Sequence, residues 1–188
     1  MDAYVEEHCV YFSIGNKTSY ARYQALGEEE QKMQEIKTAT YQGSPPYKVL
    51  ARPMPTLLKQ YHAAEHKVYN SFMQKIKPLP QQAGLSELAQ ELPSLDEARS
   101  ASSFSLFCGT TIFISSTILL LGAAVPYFFK LSTNPYFMFA WLAFIVIVTM
   151  LASYYIQKNF YLAQADDKHL LLAIEALKEV LKDERNDS

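Results

Sequence analysis

Two long stretches without a charged residue dominate the pattern of hydrophobic and polar positions. The first runs from Ser100 to Phe129, the second from Leu131 to Gln157, and Lys130 alone separates them. Each exceeds the ~20 residues with which an α-helix crosses the core of a bilayer. The alternative is a buried hairpin in a soluble protein, but soluble helices of this length usually carry a polar face. The pattern therefore predicts a transmembrane hairpin over residues 100–157.

The rest of the chain is expected to be mainly α-helical. Residues 1–99 are predicted to form a cytoplasmic N-terminal region with a short charged helix from Glu28 to Ala39, and only the segment Cys9–Gly15 has strand character. An extended connector is expected from Gly43 to Pro55, because each proline pushes the residue before it out of the helical conformation. A further helix, residues 56–77, is expected to begin near Thr56 and to end before Pro78.

The predicted helix 56–77 is amphipathic, and polar side chains interrupt its apolar stripe. The stripe collects Leu58, His62, Glu65, His66, Tyr69, Phe72, Met73 and Ile76, and the opposite face collects Gln60, Ala63, Lys67, Asn70, Ser71 and Gln74. Such a stripe is expected to pack on an apolar surface at the membrane entrance.

The sequence YHAAEHK places His62, Glu65 and His66 on one face of this helix. The order H-x-x-E-H is used by one class of zinc peptidases. Burying a glutamate between two histidines without a partner would cost several kcal/mol, and a divalent cation or a water-filled cavity would remove that cost. The residues alone also allow a plain hydrogen-bonded pair of His62 and Glu65. Cys108, expected about one turn inside the first membrane helix, is either a small apolar side chain or a third ligand, since zinc accepts histidine and cysteine thiolate.

Three motifs in this order resemble the YqhQ-like family of bacterial membrane proteins. They are YHAAEHKVYN, then LDEAR, then CGTT at the start of a membrane span, and the similarity covers roughly residues 56–157. The family is described as predicted metal-dependent enzymes of undefined substrate. The resemblance implies functional roles for His62, Glu65, His66 and Lys67 in the first motif, and for Cys108, Gly109 and Thr110 in the last. The chain departs from the family at Ala63, where the family has glycine, and at Ser105, where it has a histidine.

Two functions follow from these residues. In the first, His62, His66 and Cys108 bind a divalent metal, expected to be zinc, and Glu65 is a general base on metal-bound water or a further ligand. The protein would then be a metal-dependent hydrolase of a peptide or lipid-linked substrate at the cytoplasmic surface of the membrane. In the second, the protein is a non-enzymatic membrane subunit or scaffold in which the His/Glu cluster is a structural clamp. The serine at position 105, where the family has a histidine, favours the non-enzymatic function. The position of Glu65 between two histidines favours the hydrolase.

Residues 158–188 are predicted to form a cytoplasmic C-terminal helix over residues 160–184. Its narrow apolar seam is typical of pairing with a membrane protein partner or with a second copy of the chain, and consists of Leu170, Ile174, Leu177 and Leu181. Asp166 and His169 are expected in a solvated turn.

A formal net charge of −2, from 17 basic and 19 acidic residues, excludes the basic footprint of a nucleic-acid-binding protein. The acidic start MDAYVEEHCV is not a secretory signal, and two cysteines make no disulfide framework.

The distribution of basic residues predicts the orientation of the hairpin. Eleven lysines and arginines precede the first span, one lies between the spans and five follow the second, so both termini are expected on the cytoplasmic side of the bacterial inner membrane. In a cysteine-free background, we expect an impermeant thiol reagent to label Ser132→Cys on intact cells and to leave Gln82→Cys unlabelled. Labelling of Gln82→Cys alone would reverse the assignment.

Overall fold

The computed structural model describes residues 2–6, 9–25, 34–43, 56–80, 83–105, 108–129 and 134–182. These residues belong to two compact units. The first unit combines residues 1–103 with residues 161–188, and the second consists of residues 104–160. The N-terminal region and the C-terminal helix, which are distant along the chain, therefore fold together.

The protein is mainly helical, as predicted, but it also contains a sheet that the sequence pattern did not predict. The strands are β1 (Asp2–Glu6), β2 (Cys9–Ile14), β3 (Lys17–Ala25) and β4 (Gln34–Gln42). The helices are α1 (Thr56–Ile76), α2 (Leu85–Gln90), α3 (Leu95–Ser100), α4 (Gly109–Phe128), α5 (Pro135–Ile156) and α6 (Asp167–Leu181), and a π-helical turn, Gln157–Tyr161, follows α5.

The sheet is an antiparallel meander in the order β1-β2-β3-β4. Val10 lies opposite Ala21, and Phe12 lies opposite Ser19, which puts the buried positions of β2 and β3 in register. Gly15 makes the tight turn between these two strands with φ at 61°, a conformation that favours glycine. The strand character of Cys9–Gly15 thus reflects a central strand of the sheet.

The predicted helix from Glu28 to Ala39 is wrong over residues 34–39, and residues 28–33 lie outside the described residues. Gln34–Gln42 is the strand β4, and it pairs with β3 along its whole length. Ile36 and Thr38 are partly buried, whereas Glu35 and Lys37 are exposed. This alternation has a period of two, which is typical of a half-buried strand. The many charged residues of this segment are typical of a surface helix, and the strand was therefore not predicted. The predicted connector from residue 44 to residue 55 lies outside the described residues.

The helix α6 packs across one face of the sheet and forms the core of the first unit. Ser19 Oγ donates a hydrogen bond to the carbonyl of Ala176 at 2.6 Å, and the Tyr23 hydroxyl donates one to the carbonyl of Lys168 at 2.6 Å. Burial raises the pKa of the Tyr23 phenol to about 12, so this hydroxyl stays protonated at neutral pH. The buried core consists of Val10, Phe12, Ala21, Tyr61, Ala64, Val68, Phe72, Ala98, Leu170, Leu172, Ala173, Ala176, Leu177, Val180 and Leu181.

The C-terminal helix differs from the predicted helix in its start and in its packing. It begins at Asp167 rather than at residue 160, because Asp166 caps it by accepting a hydrogen bond from the backbone N–H of His169. His169 is buried, with its ring centroid 4.6 Å from that of Tyr61, so the expected solvated position is wrong for His169, whereas Asp166 is exposed as expected. Leu170, Leu177 and Leu181 of the predicted seam are buried, and Ile174 is partly buried. The seam packs within the first unit, and association through residues 160–184 stays an untested prediction.

The second unit is a hairpin of two helices, each long and apolar enough to cross a membrane. Ser115 and Ser153 share a hydrogen bond of 2.8 Å, and Trp141 Nε1 donates one to the carbonyl of Gly122 at 3.0 Å. A Cβ at Gly122 would lie 2.8 Å from a carbon of Ile145, so glycine permits the close approach of α4 and α5. Small residues and interhelical hydrogen bonds are the usual means of holding membrane helices together.

The buried face of α6 predicts which leucine the fold depends on. We expect Leu177→Ala to lower the free energy of unfolding by about 2–5 kcal/mol, because it leaves a cavity in the core. Leu171→Ala is the matched control on the same helix: Leu171 is 43% exposed, and its loss is expected to cost less than about 0.5 kcal/mol. Urea unfolding in detergent, followed by circular dichroism, compares the two. Equal losses would contradict the packing of α6 described above.

Candidate metal centre

The helix α1 carries three polar side chains that are almost completely buried. The exposed fractions are 6% for His62, 5% for Glu65 and 2% for His66. Their spacing of three and four residues brings them to one face, as the sequence predicts. The buried part of α1 is wider than the predicted stripe, since Ala63 and Ser71 are also buried. The reason is that α1 packs against α3, α6 and the first two strands and not against one surface only.

Both imidazoles are fixed through Nδ1 by backbone carbonyls. His62 Nδ1 lies 3.0 Å from the carbonyl oxygen of Tyr161, and His66 Nδ1 lies 2.6 Å from that of Ser103. A carbonyl oxygen only accepts hydrogen bonds, so each Nδ1 must carry a proton and donate it. A neutral imidazole has only one N–H group, and each Nε2 is then left with a lone pair. Metal-binding histidines show the same arrangement, in which a hydrogen bond at one nitrogen orients the other towards the ion.

The two Nε2 atoms point at the carboxylate of Glu65. Glu65 Oε2 lies 3.8 Å from Nε2 of His62 and 3.8 Å from Nε2 of His66, and the two rings are 4.3 Å apart. A distance of 3.8 Å is longer than a hydrogen bond but within the range of an ion pair. Imidazole nitrogens and carboxylate oxygens are the ligand atoms that divalent cations such as zinc accept.

Cys108 precedes the first turn of α4 rather than lying one turn inside it. It is the N-cap residue of α4, and the helix proper begins at Gly109. One ligand atom from each of His62, His66 and Cys108 lies within 4.8 Å of those of the other two, so these three side chains could hold a metal ion. Two imidazoles and a thiol suit zinc, whose catalytic sites combine three protein ligands with an open position. The N-terminus of a helix also favours an anionic ligand such as a thiolate.

A buried polar network in the second unit connects Ser105 with Thr111 and Gln157. The backbone N–H of Ser105 donates to Gln157 Oε1 at 3.3 Å, and the carbonyl of Ser105 accepts from Thr111 Oγ1 at 3.1 Å. Gln157 Nε2 donates to Thr111 Oγ1 at 2.8 Å, and Gln157 is completely buried. The main chain of Ser105 is thus tied to Thr111 of α4 and to Gln157, which follows α5. Its position is a structural one in this network.

A second set of contacts joins α1 to the residues that follow α3. Lys67 Nζ donates to the carbonyls of Arg99 and Ala101 at 2.6 and 2.8 Å, and Asn70 Nδ2 donates to that of Ser102 at 2.8 Å. Partial burial lowers the pKa of the Lys67 amine. The YHAAEHK motif therefore contributes a lysine whose described hydrogen bonds go to main-chain oxygens.

Sequence reasoning missed the backbone groups at this site. The carbonyls of Ser103 and Tyr161 orient the two histidines, yet they belong to residues distant from α1 along the chain. Every residue offers the same backbone carbonyl, whatever its side chain. These two positions therefore carry no sequence signal. The nearest sequence motif is LDEAR, which lies in α3, and α3 ends three residues before Ser103.

No protein-family model matches the chain, and neither a curated protein nor a solved structure matches it. The resemblance to the YqhQ-like family therefore stays a prediction that rests on the three motifs, and the geometry of the site has to be interpreted by its own chemistry.

Proposed function

We propose that the protein is a bacterial inner-membrane protein that binds a zinc-like divalent cation through His62, His66 and Cys108 and uses Glu65 to catalyse hydrolysis at the cytoplasmic membrane surface. The observation that carries this proposal is the orientation of the imidazoles: both Nδ1 atoms lie at backbone carbonyls, and both Nε2 atoms face a buried carboxylate. A cation held by the two Nε2 atoms would lie next to the Glu65 carboxylate.

The membrane part of the proposal rests on the exposure of the hairpin. Only 11% of the residues in the span of α4, and 17% of those in the span of α5, are buried. The exposed side chains include Leu120, Leu121, Phe139 and Ile147. The core helices of a soluble protein would be mostly buried, whereas lipid-facing helices expose such side chains.

The catalytic part of the proposal rests on Glu65. A bound zinc ion supplies a Lewis acid and an activated water molecule. The Glu65 carboxylate lies on the Nε2 side of both histidines, where it would act as the general base for the attacking water and then as the general acid for the leaving group. These are the roles of a glutamate in metal-assisted hydrolysis of a peptide or lipid-linked substrate.

Metal binding is tested on the purified protein in detergent, with elemental analysis for zinc and the absorption of cobalt as a thiolate-sensitive probe. We expect stoichiometric metal in the wild type and its loss in the His62→Ala/His66→Ala double variant. Cys108→Ser should remove the thiolate–cobalt charge-transfer band, and Cys9→Ser, which changes the other cysteine, should preserve it. Equal zinc contents in the wild type and the double variant would refute the metal centre.

Catalysis is tested separately with Glu65→Gln, which preserves the shape of the side chain and removes the base. We expect this variant to retain zinc and to lose about 10²–10⁴-fold in hydrolytic rate, the usual contribution of a general base. The assays are a fluorogenic peptide library and phospholipid vesicles of phosphatidylethanolamine and phosphatidylglycerol. If the wild type binds zinc but hydrolyses none of these, or if Glu65→Gln is as active as the wild type, the catalytic role is refuted. The non-enzymatic subunit with a structural clamp is then the function that remains.

A further inference from the structure

The segment that follows α3 is held by three side chains from consecutive turns of α1. Lys67 binds the carbonyls of Arg99 and Ala101, Asn70 binds that of Ser102, and His66 binds that of Ser103. Four main-chain oxygens of a five-residue stretch are therefore occupied by α1. Only the last of them touches a residue of the metal centre.

We infer that Lys67 is a positioning residue that fixes the carbonyl of Ser103 and thereby sets the tautomer and the ring orientation of His66. The inference rests on the proposed metal centre for its functional meaning. The argument is geometric: His66 exposes the Nε2 lone pair only while Nδ1 donates to Ser103, and Ser103 follows directly on the residues that Lys67 and Asn70 hold.

Lysine suits this role because its ammonium group has three donors and no acceptor. Two of these donors reach the carbonyl of Arg99, in the last turn of α3, and that of the C-cap residue Ala101. Carbonyls at the C-terminal end of a helix have no hydrogen-bond partner within the helix. At its other side α3 is held by the Arg99 guanidinium, which forms two 2.9 Å hydrogen bonds with the carboxylate of Asp167. The Arg99–Asp167 pair is exposed to solvent, which weakens it. Lys67 instead holds the carbonyl of Ala101, two residues before Ser103.

The test measures the tautomer of His66 directly in the full-length, metal-free protein. Two-bond proton–nitrogen correlation spectra of protein with ¹⁵N-labelled histidine distinguish a protonated Nδ1 from a protonated Nε2, at about pH 8.5, where an ordinary imidazole is neutral. Loss of the signal in His66→Gln assigns it. We expect His66 of the wild type to be protonated at Nδ1, Lys67→Met to show a mixture of both tautomers, and Lys67→Arg to restore the Nδ1 form.

Lys75→Met is the matched control. Lys75 lies two turns further along α1 and also binds a carbonyl, that of Leu92 at 3.2 Å, together with the Glu97 carboxylate, but it is remote from Ser103. We expect Lys75→Met to lower the melting temperature about as much as Lys67→Met and to leave the His66 tautomer unchanged. Zinc affinity should fall about 10–100-fold in Lys67→Met, as for other partners that orient metal ligands, and should be unchanged in Lys75→Met.

The outcomes separate this inference from the proposed function. An unchanged His66 tautomer in Lys67→Met, or an equal change in Lys75→Met, overturns the positioning role whether or not zinc binds. A wild type that binds no zinc but shows the expected change of tautomer overturns the metal centre and supports the positioning role. If Lys67→Met does not fold, Lys67→Gln, which keeps a shorter and uncharged donor group, is measured in its place and is expected to show a partial shift.

Discussion

A buried carboxylate beside two imidazoles is the constraint on which the rest of the first unit depends. Glu65 lies 3.8 Å from the Nε2 atoms of His62 and His66, and all three side chains are nearly inaccessible to water. A buried charged group needs partners that offset the loss of its hydration, and the two imidazoles lie at ion-pair distance from this carboxylate. The fold keeps the cluster in place because α1 is enclosed by α3, α6 and the sheet.

The backbone, more than the side chains, determines what this cluster can do. Carbonyls of Ser103 and Tyr161 accept from the two Nδ1 atoms, and this alone leaves both Nε2 lone pairs facing Glu65. Had side-chain donors occupied the same places, the tautomers would be reversed and the carboxylate would receive hydrogen bonds from the imidazoles. Main-chain carbonyls thus orient both imidazoles within the first unit.

The predictions that failed did so for identifiable physical reasons. The charged segment that includes Glu35 and Lys37 has the composition of a surface helix, but pairing with β3 makes every second residue a partly buried one. Propensity is a weak signal when a neighbouring strand offers a full set of hydrogen bonds. The leucine seam of α6 has the narrow spacing of a helix that pairs with a partner. The sheet covers it instead, since an apolar seam specifies burial and not what buries it.

The sequence by itself determined the features that depend on local order along the chain. Two uncharged stretches fixed the pair of apolar helices, and the helical period brought His62, Glu65 and His66 to one face, because bilayer thickness and helix pitch are constants. Tertiary structure alone decided which groups meet those side chains. The carbonyls of Tyr161 and Ser103 lie 99 and 37 residues along the chain from the histidines that they contact, and a main-chain oxygen is the same in every residue.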